Sequence, residues 1–158
     1  MTTMVDGQSI RKVTLGNFVT GKLQTISGAA THQVFTVAGG PVLITAMWGI
    51  TTTAMTGANS VNVQTDPTTG DTVVIATATD LGTTNTEAGT VICGEFDQDG
   101  TTNTPSLVKG SGEPLRFVAP IGEIESVATE ATADGAIQWY CTFVPLDAGG
   151  NATVTASA

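Results

Sequence analysis

Ala136-Ile137-Gln138-Trp139-Tyr140-Cys141-Thr142-Phe143-Val144-Pro145-Leu146 is the stretch that decides the fold. Ile137, Trp139, Cys141 and Phe143 alternate with Gln138, Tyr140 and Thr142. A period of two marks a strand with one buried face. The first set is expected to line the core and the second to point away from it. Just upstream, Gly122–Thr132 alternates as well, with Ile124, Ser126 and Ala128 set against Glu123, Glu125, Val127 and Thr129. Ala133-Asp134-Gly135 between the two stretches reads as a hairpin turn. That pairing would give the sheet one acidic, wetted face.

Working back toward the N-terminus, the same reading repeats. His32–Val37 and Val42–Thr53 flank Ala38-Gly39-Gly40-Pro41 and read as a second hairpin. Val61–Gln64 and Thr72–Ala78 flank Asp66-Pro67-Thr68-Thr69-Gly70-Asp71, where proline fixes one torsion and glycine permits positive φ. Asp80–Ala88 is polar and ambiguous. Gly89–Phe96 reads as a strand, Asp97–Pro105 as a loop, and Leu107–Ala119 as one or two short strands. Eight to ten short strands with regularly spaced turns predict an antiparallel β-sandwich or jelly-roll-like domain over residues 31–150. Residues 1–30 show weak periodicity and three spaced glycines, and read as an extended N-terminal arm. Residues 151–158 read as a flexible C-terminal tail.

Composition supports β structure. Among 158 residues, 41% are hydrophobic and only 12% charged, so the polarity comes from thirty threonines and 19 glycines. Threonine is β-branched and suits a pleated strand. The formal net charge is −9, which repels phosphate backbones and anionic membranes and argues against both as partners. Three of the five positive residues, Arg11, Lys12 and Lys22, fall in the first 22 positions and mark the arm as the interacting segment. Met1–Gln8 lacks the pattern of a secretory leader. The reading is therefore synthesis in a host cytoplasm, with Cys93 and Cys141 as buried thiols rather than a disulfide.

Catalytic patterns are thin, and the chain reads as non-enzymatic and without a cofactor. His32, the sole histidine, sits in a strand pattern, and neither cysteine lies in a nucleophile motif. Gly110-Ser111-Gly112 runs into Glu113-Pro114 instead of a phosphate-binding helix start. Glu123, Glu125 and Glu130 share one stretch but lack the aromatics of a glycosidase cleft. Glu95, Asp97 and Asp99, ahead of Gly100, place oxygens at alternate positions as the first half of a calcium loop does. Ser106 stands where the bidentate acid belongs, so they are at most a partial metal site.

Two segments carry a resemblance. Phe35-Thr36-Val37-Ala38-Gly39-Gly40-Pro41-Val42-Leu43-Ile44-Thr45, with Trp48-Gly49 and Thr51-Thr52-Thr53-Ala54, resembles small β-rich virion structural proteins of tailed bacteriophages. So does the closing stretch from Gly135-Ala136-Ile137-Gln138-Trp139 to Val144-Pro145-Leu146. The resemblance implies a capsid decoration (cement) protein on the virion surface. Its implied partners are other copies of itself, as a homotrimer, and the major capsid protein. A tail- or fibre-associated binding module, a glycan- or calcium-assisted adhesin, is the alternative.

Overall fold

β-branched residues and frequent glycine turns dominate the chain from Asn17 on, and strands follow from them. The computed structural model describes residues 7–82, 85–95, 104–110 and 112–158. One helix, α1 (Gly7–Leu15), precedes the strands β1 (Asn17–Thr25), β2 (Ala30–Ala38), β3 (Val42–Thr53), β4 (Ser60–Pro67) and β5 (Val73–Asp80). β6 (Val91–Glu95), β7 (Ser106–Lys109), β8 (Leu115–Ala119), β9 (Gly122–Ala128), β10 (Ala136–Pro145) and β11 (Thr153–Ala156) complete the set.

The protein is all-β, and its strands form one sheet in the order β1-β10-β3-β6-β7-β5-β4-β9-β2-β11, with β8 also paired to β3. Among the described residues every pairing is antiparallel except the short parallel contact between Thr77 of β5 and Ser106 of β7. The sheet curls until β1 lies beside β2 and β11, giving a nearly closed barrel. Inside lie Phe35, Ile44, Met47, Leu107, Ile124, Ile137 and Trp139, all fully buried. Trp139 donates its indole Nε1–H to Gln24 Oε1 at 2.8 Å. Gly49 makes room for it, since a Cβ there would sit 3.2 Å from Trp139 Cε3 and 2.8 Å from Ile137 Cγ2.

Several sequence expectations need correction. β9 and β10 are not a hairpin: β9 pairs with β2 and β4, whereas β10 pairs with β1 and β3. Ala133-Asp134-Gly135 carries the chain across from one half of the sheet to the other. Asp134 accepts from the backbone N–H of Thr56 at 2.8 Å and of Gly57 at 3.1 Å, and also from the Thr56 hydroxyl. These bonds hold its carboxyl below the usual carboxylate range. β2 and β3 likewise go to different halves. The Asp66–Asp71 turn does join two paired strands, β4 and β5.

The arm and tail also fall differently. Residues 17–25 are not an arm but a strand, paired with β10 from Asn17 to Thr25, and Ile26 is in the core. A bulge between Thr20 and Leu23 breaks the alternation that would have announced it. Residues 153–156 are not a free tail but pair with β2. Asp147 holds that return by accepting from the N–H groups of Asn151 (2.8 Å) and Ala152 (2.9 Å).

Candidate functional site

The outer surface of β1, β10, β3 and β8 carries the most distinctive cluster in the molecule. Cross-strand register builds it row by row, because residues directly opposite on paired strands project from the same face. One row runs Leu23–Gln138–Ile50–Val91. The next runs Thr20–Tyr140–Trp48, and a further one runs Val144–Leu43–Val118. Phe18, opposite Thr142, stands diagonally beside Tyr140.

Three aromatic rings from three strands stack across this face. Trp48 and Tyr140 have centroids 5.8 Å apart and planes inclined by 20°. Tyr140 and Phe18 are 6.0 Å apart at 22°, and Phe18 and Trp48 are 6.3 Å apart at 39°. Offset aromatic pairs at such distances add about 0.5–1.5 kcal/mol beyond area burial. That helps keep the rings ordered while their outer surfaces meet solvent. Phe18 is 59% exposed and Val118 57%, with Leu23 and Val144 exposed nearby. Thr45 and Thr142 share a hydroxyl hydrogen bond of 2.6 Å at the centre of the face. Exposed apolar clusters of this kind are a common mark of interaction surfaces, which makes this face the candidate site.

α1 emerges at the border of this face. Gly16 caps it with φ +89°, its N–H bonded to Lys12 O at 3.0 Å. A Cβ at Gly16 would fall 2.5 Å from Phe143 O, so the chain passes hard against β10 there. Thr45 Oγ1 donates to Leu15 O at 3.0 Å. Beyond this anchor every described side chain of the helix is exposed, including Ile10 (55%), Val13 (86%) and Leu15 (57%).

The residues singled out in the sequence are dispersed. Arg11 and Lys12 lie on α1, whereas Lys22 lies on β1 and donates from Nζ to Ala158 O. The three cations therefore do not form one arm. Glu95 is exposed at the end of β6, while Asp97 and Asp99 fall outside the described residues. Among the described residues no group of three or more His, Cys, Asp or Glu is placed to hold a metal. Ile137, Trp139, Cys141 and Phe143 all point inward and are buried. Both cysteines are free and buried; burial raises the Cys93 thiol and pushes Cys141 up to about 12.

His32 opens onto a cavity of about 420 Å³ at the seam between β1 and β2, lined also by Lys22, Gln24, Gln33 and Glu125. Its Nε2 is buried with no hydrogen-bond partner among the described residues. Burial, and then the Lys22 charge, hold its pKa below the ordinary histidine value. The expected wet acidic face is corrected here too. Glu125 is only 6% exposed and accepts from Gln64 Nε2 at 2.7 Å, and Glu123 is half-buried.

Sequence reasoning turned Tyr140 outward but missed the cluster. Phe18 lay in the presumed arm, and the adjacency of β1, β10 and β3 is not encoded in any local pattern. No family model, curated protein or solved structure matches the chain.

Proposed function

We propose that this protein is a non-enzymatic structural component of a tailed-bacteriophage virion, a capsid decoration (cement) protein that stabilises the head by subunit packing. The single observation that carries the reading is the Phe18–Tyr140–Trp48 stack, in which Phe18 is exposed and Tyr140 and Trp48 are half-buried, with the exposed Leu23, Val118 and Val144 around it. Aromatic residues supply the buried anchors of protein–protein interfaces, and a charge-poor centre lowers the desolvation cost of packing. The rows named above hold no charged residue among the described residues. The curled sheet, with its two halves facing each other across a common core, is read as a sandwich-like variant of the jelly-roll plan. The resemblance noted in the sequence supplies the location on the capsid surface, the homotrimer and the major capsid protein as partner.

The test is reconstitution. Purified protein added to expanded shells that lack it should bind in fixed ratio to the shell subunit and survive moderate salt, since packing dominates over screened charge. Failure to bind, or a location confined to the tail, would overturn the reading. A second reading draws on the same rings. Flat, exposed aromatics also serve as stacking platforms for sugars, as a tail- or fibre-associated adhesin would need. Glycan binding lost in Trp48→Ala and Tyr140→Ala, without shell binding in the parent, would favour it.

A further inference from the structure

We infer that α1 of one copy docks onto the aromatic face of the next, so that copies join head to tail into a closed ring. The inference rests on the self-packing reading above and specifies which surfaces meet. α1 is only nine residues long, and isolated helices of that length are marginal in water, being stabilised by packing an apolar side. Here that side is bare: Ile10 and Val13, one turn apart, are exposed along with Leu15, and no described residue of the same copy covers them. The Phe18–Tyr140–Trp48 face is the complementary unpartnered surface, apolar and formed of rigid strands.

Charge favours contact between copies as well. α1 carries Arg11 and Lys12 and no acid, whereas all fourteen Asp and Glu lie elsewhere on a chain of net charge −9. A basic helix approaching the acidic body of a second copy is attracted, while body against body is repelled; the apolar contact, not charge, then sets where the helix lands, since the rows of the face carry no acid. A helix-to-face contact pairs two different surfaces, so it is heterologous. It must close into a ring or run on as a filament, and a ring of three suits the proposed homotrimer.

Two variants test this. Ile10→Ser/Val13→Ser strips the helix, and Phe18→Ser/Tyr140→Ser strips the face; Ile10, Val13 and Phe18 are exposed and Tyr140 is half-buried, and far-ultraviolet circular dichroism checks each fold. In sedimentation velocity the parent should run as a closed oligomer and each variant alone as a monomer. Mixed, the two should give a 1:1 dimer and nothing larger, because the mixture retains one intact helix and one intact face. Should Tyr140→Ser disturb the sheet, Phe18→Ser alone replaces it and should weaken assembly at least tenfold. Variants that stay oligomeric, or monomeric variants that fail to combine, overturn the helix-to-face contact and leave the packing reading standing. A parent that is monomeric at all concentrations overturns the inference, and shell binding then decides the packing reading separately. Monomeric parent that binds shells through α1 would mean that the shell subunit is the helix's partner, which also overturns the inference.

Discussion

The two outer faces of the curled sheet are built by the same strands-and-register rule and end in opposite chemistry. On the β4–β9–β2–β11 half, a row runs Asp66–Glu123–Thr36–Thr155. Its groups satisfy one another laterally: Thr36 Oγ1 donates to Glu123 at 3.0 Å and Ser157 Oγ donates to Glu123 Oε2 at 2.9 Å. On the β1–β10–β3–β8 half the equivalent rows present Tyr140 with Trp48, and Val144 with Leu43 and Val118. A polar face that closes its own hydrogen bonds gains little from a partner. An apolar one gains on the order of 25 cal/mol for each Å² it hides. On the proposed reading, this difference leaves one half self-sufficient and gives the other over to association.

The contrast holds only if one continuous sheet carries both faces, and truncation probes that most severely. Removing residues 1–15 takes away α1 alone and should leave melting nearly unchanged while abolishing assembly. Removing residues 1–25 also deletes β1, exposes β10 and strips Gln24 from Trp139, and should prevent folding. Equal melting of both truncations would show that β1 does not belong to the sheet. Next in size, Trp139→Ala should cost roughly 3–5 kcal/mol. Hydrogen exchange should then show the two halves losing protection together; loss confined to β1, β10 and β3 would mean that the halves are separate cooperative units.

Smaller effects separate the faces themselves. Glu125→Ala should destabilise by about 1–3 kcal/mol, because Gln64 loses its acceptor in a half-buried site, and should leave assembly intact. Phe18→Ser should instead weaken assembly, while costing the fold about 0.5–1.5 kcal/mol for each of the ring contacts with Trp48 and Tyr140 that it loses. Thermal melts paired with sedimentation read both quantities, and a swap of the two outcomes would invert the assignment. The smallest expected effect is on pH. His32 binds its proton less readily folded than unfolded, so the unfolded state takes up more protons and stability falls as pH drops below 6.5. Asp134 and Asp147, with lowered pKa values, contribute stability above 3.8 that is lost as pH falls through their folded values. His32→Gln should flatten the upper part of that acid slope; an unchanged slope would remove His32 from the account.

Much of the secondary structure was legible because burial leaves a period of two, as in Ile137 through Phe143. Partnership between strands was not. Ala133-Asp134-Gly135 has hairpin chemistry, yet Asp134 spends its acceptors on Thr56 and Gly57, and Gly135 (φ +94°) fits where a Cβ would meet Met55 and Ala54. A turn residue reports a local need for positive φ, not which strand lies next door. β1 escaped notice for a related reason. Gly21 looks like loop punctuation, but a Cβ there would sit 2.7–2.9 Å from Val34 and Phe35, so glycine is what allows β1 to lie against β2. The aromatic face depended on that hidden strand, and so it became visible only once β1, β10 and β3 were seen side by side.

The central claim, that the Phe18–Tyr140–Trp48 face is buried by assembly, is tested most directly by hydroxyl-radical footprinting of the parent at dilute and at assembly concentrations. Phe18, Tyr140 and Trp48 should label readily when dilute and become protected when concentrated, while exposed Val73 and Val74 on β5 label equally in both. Unchanged labelling of the three rings across that range would contradict the account.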